Sequence, residues 1–106
     1  MTYEELVQKV REAYSGVDVS NINEHVAIEV NIRGEAEGAF YIEIRRERVL
    51  VEPYEYYDRD LIIVTTADVI MQMVEGKIQP RVAYTKELLK LYGDVELVEL
   101  LPFGCK

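Results

Sequence analysis

Apolar residues recur along the chain with two periods, and the switches between them mark out the elements. Leu6, Val7, Val10, Ala13 and Tyr14 fall on one stripe at helical spacing, which predicts a helix over residues 2–15. Thr2 and Glu5 stand at capping-box spacing, where hydroxyl and carboxylate satisfy free N–H groups of the first turn. Gly16 supplies a left-handed stop, and Val17 to Asn23 reads as a loop. The period then drops to two. Val26, Ile28, Val30 and Ile32 alternate with Ala27, Glu29, Asn31 and Arg33. After a glycine-bounded turn, Gly34 to Gly38, the residues Phe40, Ile42 and Ile44 alternate with Tyr41, Glu43 and Arg45. A charged turn, Arg45 to Arg48, leads into Val49–Glu52. Three strands in sequence joined by short turns predict an antiparallel meander.

Pro53 ends the third strand, because it cannot donate to a ladder. Leu61 to Thr65 is continuously apolar, which places a fourth strand inside the sheet. Thr65 or Thr66 caps a second helix carrying Val69, Ile70, Met73 and Val74 on one face, stopped at Gly76. Pro80 opens a short third helix at its favoured position. Leu88 to Tyr92 reads as a fifth strand. Asp94 is placed to cap a last helix, Val95 to Leu101, which Pro102 ends.

Composition narrows the partners. The 106 residues carry a net charge of -8, and 49% are hydrophobic. This is the make-up of one ordinary globular domain, residues 1–106. The acidic balance argues against nucleic acid and anionic membrane, both of which recruit Lys and Arg. No apolar run is long enough for stable membrane insertion. The start of the chain has neither part of a signal peptide, and a single cysteine, Cys105, allows no internal disulfide. A cytoplasmic location is the expectation.

Candidate chemistry is sparse. His25 is the one histidine, at a strand start with no cysteine or second histidine to share a metal, so a structural or surface role is expected. Ser15 and Ser20 sit in no nucleophile-elbow context. The carboxylate pairs Glu35/Glu37 and Asp58/Asp60 lie in turns, where acids are ordinarily solvated, and neither follows a calcium-loop pattern. No catalytic residue, metal or cofactor is therefore assigned. The cluster Tyr54, Tyr56 and Tyr57 reads equally as a functional surface, either a ligand gate or a partner surface, and as a plain cover for the core edge. Of Met71 and Met73, the second lies on the core stripe.

From Phe40 onward the order of signals resembles the sterol carrier protein 2 family. Asp60-Leu-Ile-Ile-Val-Thr-Thr-Ala-Asp68 looks like that family's central strand running into a Ser/Thr-capped helix. Glu75-Gly-Lys-Ile-Gln-Pro80 is similar to its Gly-Lys-Leu-x-Pro segment, and Ala83-Tyr84 takes the place of Ala-Phe. Leu89-Lys-Leu-Tyr-Gly-Asp94 corresponds to Leu-Lys-Ile-x-Gly-Asp. The family glycine before the fifth strand is Glu87 here, which leaves the geometry of that turn open.

The resemblance implies an α+β, SCP2-like fold. Its parts are an N-terminal helix, a three-stranded antiparallel meander, a crossover to a fourth strand, helices, and a fifth strand in one mixed sheet. It implies non-enzymatic binding of a lipid or another apolar small molecule between sheet and helices. The residues so implied are Phe40, Ile42, Met73, Val82, Leu89 and Leu91, with Phe103 closing one end. Family domains also occur within larger enzymes, so the alternative is a solid interaction module, either a homodimer or an accessory subunit. Size weighs on this choice. Empty apolar volume costs on the order of 24 cal/mol per Å³, so a tunnel of ~300 Å³ would cost ~7 kcal/mol. Whole domains are stable by only ~5–15 kcal/mol. A chain this short is expected to be collapsed, permanently filled, or completed by a second subunit.

Overall fold

The computed structural model describes residues 1–17, 19, 22, 24–46, 48–53 and 58–100. Phe103, Cys105 and the tyrosines at 54, 56 and 57 lie outside that set. The chain begins with α1 (Tyr3–Ala13), held at its start by Thr2 and Glu5 in a reciprocal capping box. Three strands follow: β1 (Val26–Ile32), β2 (Gly38–Arg45) and β3 (Arg48–Glu52). Then come β4 (Leu61–Thr65), α2 (Ala67–Val74), α3 (Pro80–Thr85), β5 (Lys90–Gly93) and a 3-10 helix, Val95–Leu100.

The five strands form one sheet in the order β3-β2-β1-β4-β5. β1 is its axis. It pairs antiparallel with β2, setting Ile28 against Ile42 and Val30 against Phe40. On its other side it pairs parallel with β4, setting Val30 against Ile63. The remaining pairs are antiparallel, so the sheet is mixed. The apolar set of each strand lands on one face, and Leu6, Val7 and Val10 of α1 join it in one buried cluster with Ile70 and Met73 of α2. The continuous apolar run of β4 has the cause expected: it lies between two neighbours, with both edges paired.

The period-two pattern implies a half-buried sheet, but the second face is closed at its centre. Ala27, Glu29, Tyr41 and Glu43 all point to it and all are buried. The acids are accommodated by partners. His25 Nε2 lies 2.5 Å from Glu43, Arg59 lies 3.3 Å from Glu29, and the Asn31 amide donates to Glu29 at 2.8 Å. Asp60, one of the turn acids, accepts the backbone N–H of Ala27 at 2.9 Å. His25 is thereby structural.

The closing turn of α3 corrects two boundaries. Helix α2 ends with the Gly76 N–H donating to Met73 and the Lys77 N–H to Gln72, with Gly76 at φ 76°. This is the Schellman arrangement, which requires a left-handed residue. Helix α3 ends the same way: Glu87 N–H donates to Tyr84 and Leu88 N–H to Ala83, with Glu87 at φ 59°. The turn is therefore kept where the family glycine is replaced. Leu88 is consumed by it, since its carbonyl also accepts the Thr65 hydroxyl at 2.9 Å. The fifth strand consequently starts at Lys90, not Leu88. Thr66, not Thr65, caps α2 through Val69 N–H. The last helix differs as well. The Leu97 N–H donates to the Asp94 carbonyl at a three-residue interval, and the segment is a 3-10 helix, not an α-helix.

A non-glycine residue in the left-handed region costs about 1–2 kcal/mol. Glu87→Gly is expected to raise stability by about 0.5–1 kcal/mol, part of the gain being offset by a freer unfolded chain. Gly76→Ala is expected to lower it by about 1 kcal/mol. Urea denaturation of the two variants beside the parent checks both signs.

Candidate functional site

The residues implied by the sequence separate into two sets. Phe40 and Ile42 on β2 and Met73 on α2 are fully buried in the common core cluster. Leu89 is also buried, but it reaches the wall of a groove on the outer side. Leu91, half-buried opposite Ile63, packs on the core and lines the same groove. Val82 of α3 is exposed. Phe103 is beyond the described residues.

A second groove, of about 480 Å³, has Leu91 and Val98 as its floor. Its walls are Pro80 and Tyr84 from α3 and Val95 from the 3-10 helix. Local structure explains the placement. Residues three apart eclipse one another in a 3-10 helix, so Val95 and Val98 present a single apolar edge toward α3. Pro80 at the first turn of α3 and the Schellman turn at its end fix where Tyr84 stands. The rim is charged: Arg81 bridges to Glu99 at 3.7 Å, with Glu96 alongside. The arrangement is a half-open apolar trough with a guanidinium at its edge. Its rim sets one guanidinium beside two carboxylates, and among the described residues that line it none is a nucleophile with an adjacent base. Sequence reasoning found Leu91 but missed Tyr84, Val95 and Val98. The three-residue spacing of the two valines was the available signal.

Another groove of about 480 Å³ lies at the N-terminal end of α2, between Met1, Met71 and the β1–β2 turn. It is polar. The Met1 ammonium donates to Glu35 at 2.8 Å. That hydrogen bond, and then the attraction of the two charges, holds Glu35 below the usual carboxylate range and raises the amine. Met71 is thus a groove residue while Met73 is core. Among the described residues, no group of three His, Cys, Asp or Glu is gathered as a metal would need. No helix among them is long and apolar enough to cross a membrane.

The model of the SCP-2 sterol transfer family matches residues 4–101. The chain belongs to that family. The fold agrees with solved members. Sterol Carrier Protein-2 from Aedes aegypti, solved as a complex with the C16 fatty acid palmitate, superposes with a TM-score of 0.67 at 16% identity, covering 100% of this chain and 98% of that one. Sterol Carrier Protein 2 from Yarrowia lipolytica, in apo form, gives 0.58 at 16% identity over 93% and 73%. The sec-alkylsulfatase Pisa1 from Pseudomonas sp. gives 0.63 at 13% identity over 92% of this chain, but only 13% of its own. At these identities the likeness shows the shared SCP2 fold. No curated protein sequence matches the chain.

The groove should have a structural floor and a dispensable wall. Val98→Ala, at a buried position, is expected to cost about 1–2 kcal/mol. Tyr84→Ala, on an exposed side chain, should stay within about 0.5 kcal/mol of the parent. Thermal and urea unfolding of the two variants measures the contrast.

Proposed function

We propose that this SCP2 domain binds a fatty-acyl or similar apolar ligand without catalysis, in the groove between α3 and the 3-10 helix. The observation that carries the reading is the groove itself: about 480 Å³, apolar on its floor and walls, with Arg81 at its rim beside Glu96 and Glu99. Each methylene removed from water contributes about 0.8 kcal/mol. A surface of this kind therefore favours a chain of methylenes over a small polar molecule. Arg81 is placed to take a carboxylate from the ligand in exchange for Glu99, because both are exposed and their contact is long. Palmitate in the Aedes aegypti relative supports this ligand class.

Within this reading Leu91 serves the ligand, Leu89 lines the neighbouring groove, and Phe40, Ile42 and Met73 hold the sheet and helices together. The binding unit is the whole chain, since the floor residue Leu91 lies on β5, held in the sheet by β4, and the walls come from α3 and the 3-10 helix. A cytoplasmic setting remains part of the proposal, as does catalytic inertness. His25 is committed to Glu43, away from the groove.

Uptake of a fluorescent fatty acyl probe, competed with palmitate, tests the function. Saturable uptake is expected, weakened several-fold by Tyr84→Ala and by Arg81→Glu. Absence of uptake, together with no lipid extractable from natively purified protein, would overturn the proposal and leave the interaction-module reading.

A further inference from the structure

The sheet has an end that the fold leaves open. β5 is an edge strand of four residues, paired with β4 and with no strand beyond it among the described residues. The hydrogen-bond alternation of an antiparallel ladder identifies which of its backbone groups face outward. Asp94 N–H donates to the Asp60 carbonyl at 2.9 Å, next to the pair Leu61–Gly93. Alternation then directs the N–H and C=O of Tyr92 and Lys90 toward β4, and those of Leu91 and Gly93 away from it. A broad open trough of about 750 Å³ runs along this outward side, between the end of α3 and β5.

The surroundings of the strand are unusual for this molecule. Tyr84, Leu88, Tyr92 and Val95 are between 40% and 55% exposed. Among the described residues, they are four of the six large hydrophobics that are exposed. The charges beside the strand balance, Lys86 and Lys90 against Glu87 and Asp94, in a chain whose net charge is -8. Two acidic copies repel over most of their surface, so a charge-balanced apolar edge is where they approach at least cost.

We propose that β5 is a self-pairing surface: a second copy of this chain docks antiparallel on it about a two-fold axis, continuing the sheet across both subunits. The outward groups set the register. Leu91 faces Gly93 of the second copy, with the two residues exchanging both N–H···O bonds, and the axis repeats the exchange. That register sets Tyr92 against Tyr92 of the second copy at a close, non-hydrogen-bonded position. It also sets Lys90 opposite Asp94 of the second copy. Residues 90, 92 and 94 share the sheet face away from the helices. Aromatic and opposite-charge pairs are the cross-strand contacts that stabilise such a ladder. The second copy is favoured over a foreign peptide because the charges are complementary to themselves. The inference stands on the backbone of the edge strand and does not require ligand binding, although Leu91, Tyr84 and Val95 also line the proposed ligand groove.

Light scattering and sedimentation of the full chain over a concentration series test it. The parent is expected to reach the mass of two chains. Lys90→Glu should weaken association by about tenfold or more, since the two symmetric attractions become repulsions. Lys90→Glu combined with Asp94→Lys should restore it, which a merely structural role for Lys90 would not do. Circular dichroism confirms that the variants fold. A single-chain mass for the parent at every concentration overturns the proposal. So does a dimer that survives both Lys90→Glu and Tyr92→Lys, or one that the paired swap fails to rescue. Acyl-probe uptake by the Lys90→Glu monomer is measured separately, so loss of pairing and loss of ligand binding remain distinguishable.

Discussion

The backbone of Leu88 is held on both sides. Its N–H goes to the Ala83 carbonyl at the end of α3, and its carbonyl takes the hydroxyl of Thr65 at the end of β4. Thr65 is buried, so that hydroxyl needs a partner inside the protein. One residue thereby ties the central sheet to the last helix of the main body. The chain can leave α3 in the right direction only by a left-handed residue at position 87, which the sequence supplies as Glu. From this turn follow the start of β5, the position of Leu91, and the gap between α3 and the 3-10 helix. The proposed ligand groove and the open edge strand are both consequences of where that turn sends the chain.

A closed apolar tunnel inside so short a chain would cost several kcal/mol whenever it stood empty. The core meets this constraint by packing. Phe40, Ile42 and Met73 sit fully buried in one cluster shared by the sheet, α1 and α2. A half-open groove at the margin of the sheet carries a smaller penalty, because water occupies it when the ligand leaves. The same economy bears on the second face of the sheet. Glu29 and Glu43 are buried there, where an unpaired carboxylate would be costly, and each is met by a side chain of opposite or potentially opposite charge.

Most of the architecture was legible because it follows from periodicity. The switch from helical spacing at Leu6–Tyr14 to alternation at Val26–Ile32, and the glycine-bounded turn after it, fixed α1 and the meander. The uninterrupted run Leu61–Val64 placed β4 inside the sheet. Where the reading failed, tertiary contacts had overridden local pattern. Leu88 looks like a strand residue, but both its backbone groups are taken by a helix cap and a distant threonine. The Asp94–Leu100 stretch has the cap and the apolar residues of an α-helix, yet Val95–Leu100 forms a 3-10 helix of six residues. Burial of Glu29 and Glu43 was not visible, because alternation alone assigns charged positions to water. In the groove, Leu91 was reachable from the family motif. Tyr84 stood in the motif and Val95 and Val98 stood three apart, but that they meet in one groove depends on how α3 and the 3-10 helix pack.

The central claim is that an acyl ligand occupies the margin between α3 and the 3-10 helix and leaves the interior intact. Methyl-labelled NMR spectra of the protein titrated with palmitate address it residue by residue. The account predicts saturable shifts at the methyl groups of Leu91, Val95 and Val98, with Ile42 and Met73 nearly unmoved. Large shifts at Ile42 and Met73 with the groove methyls unaffected would contradict it.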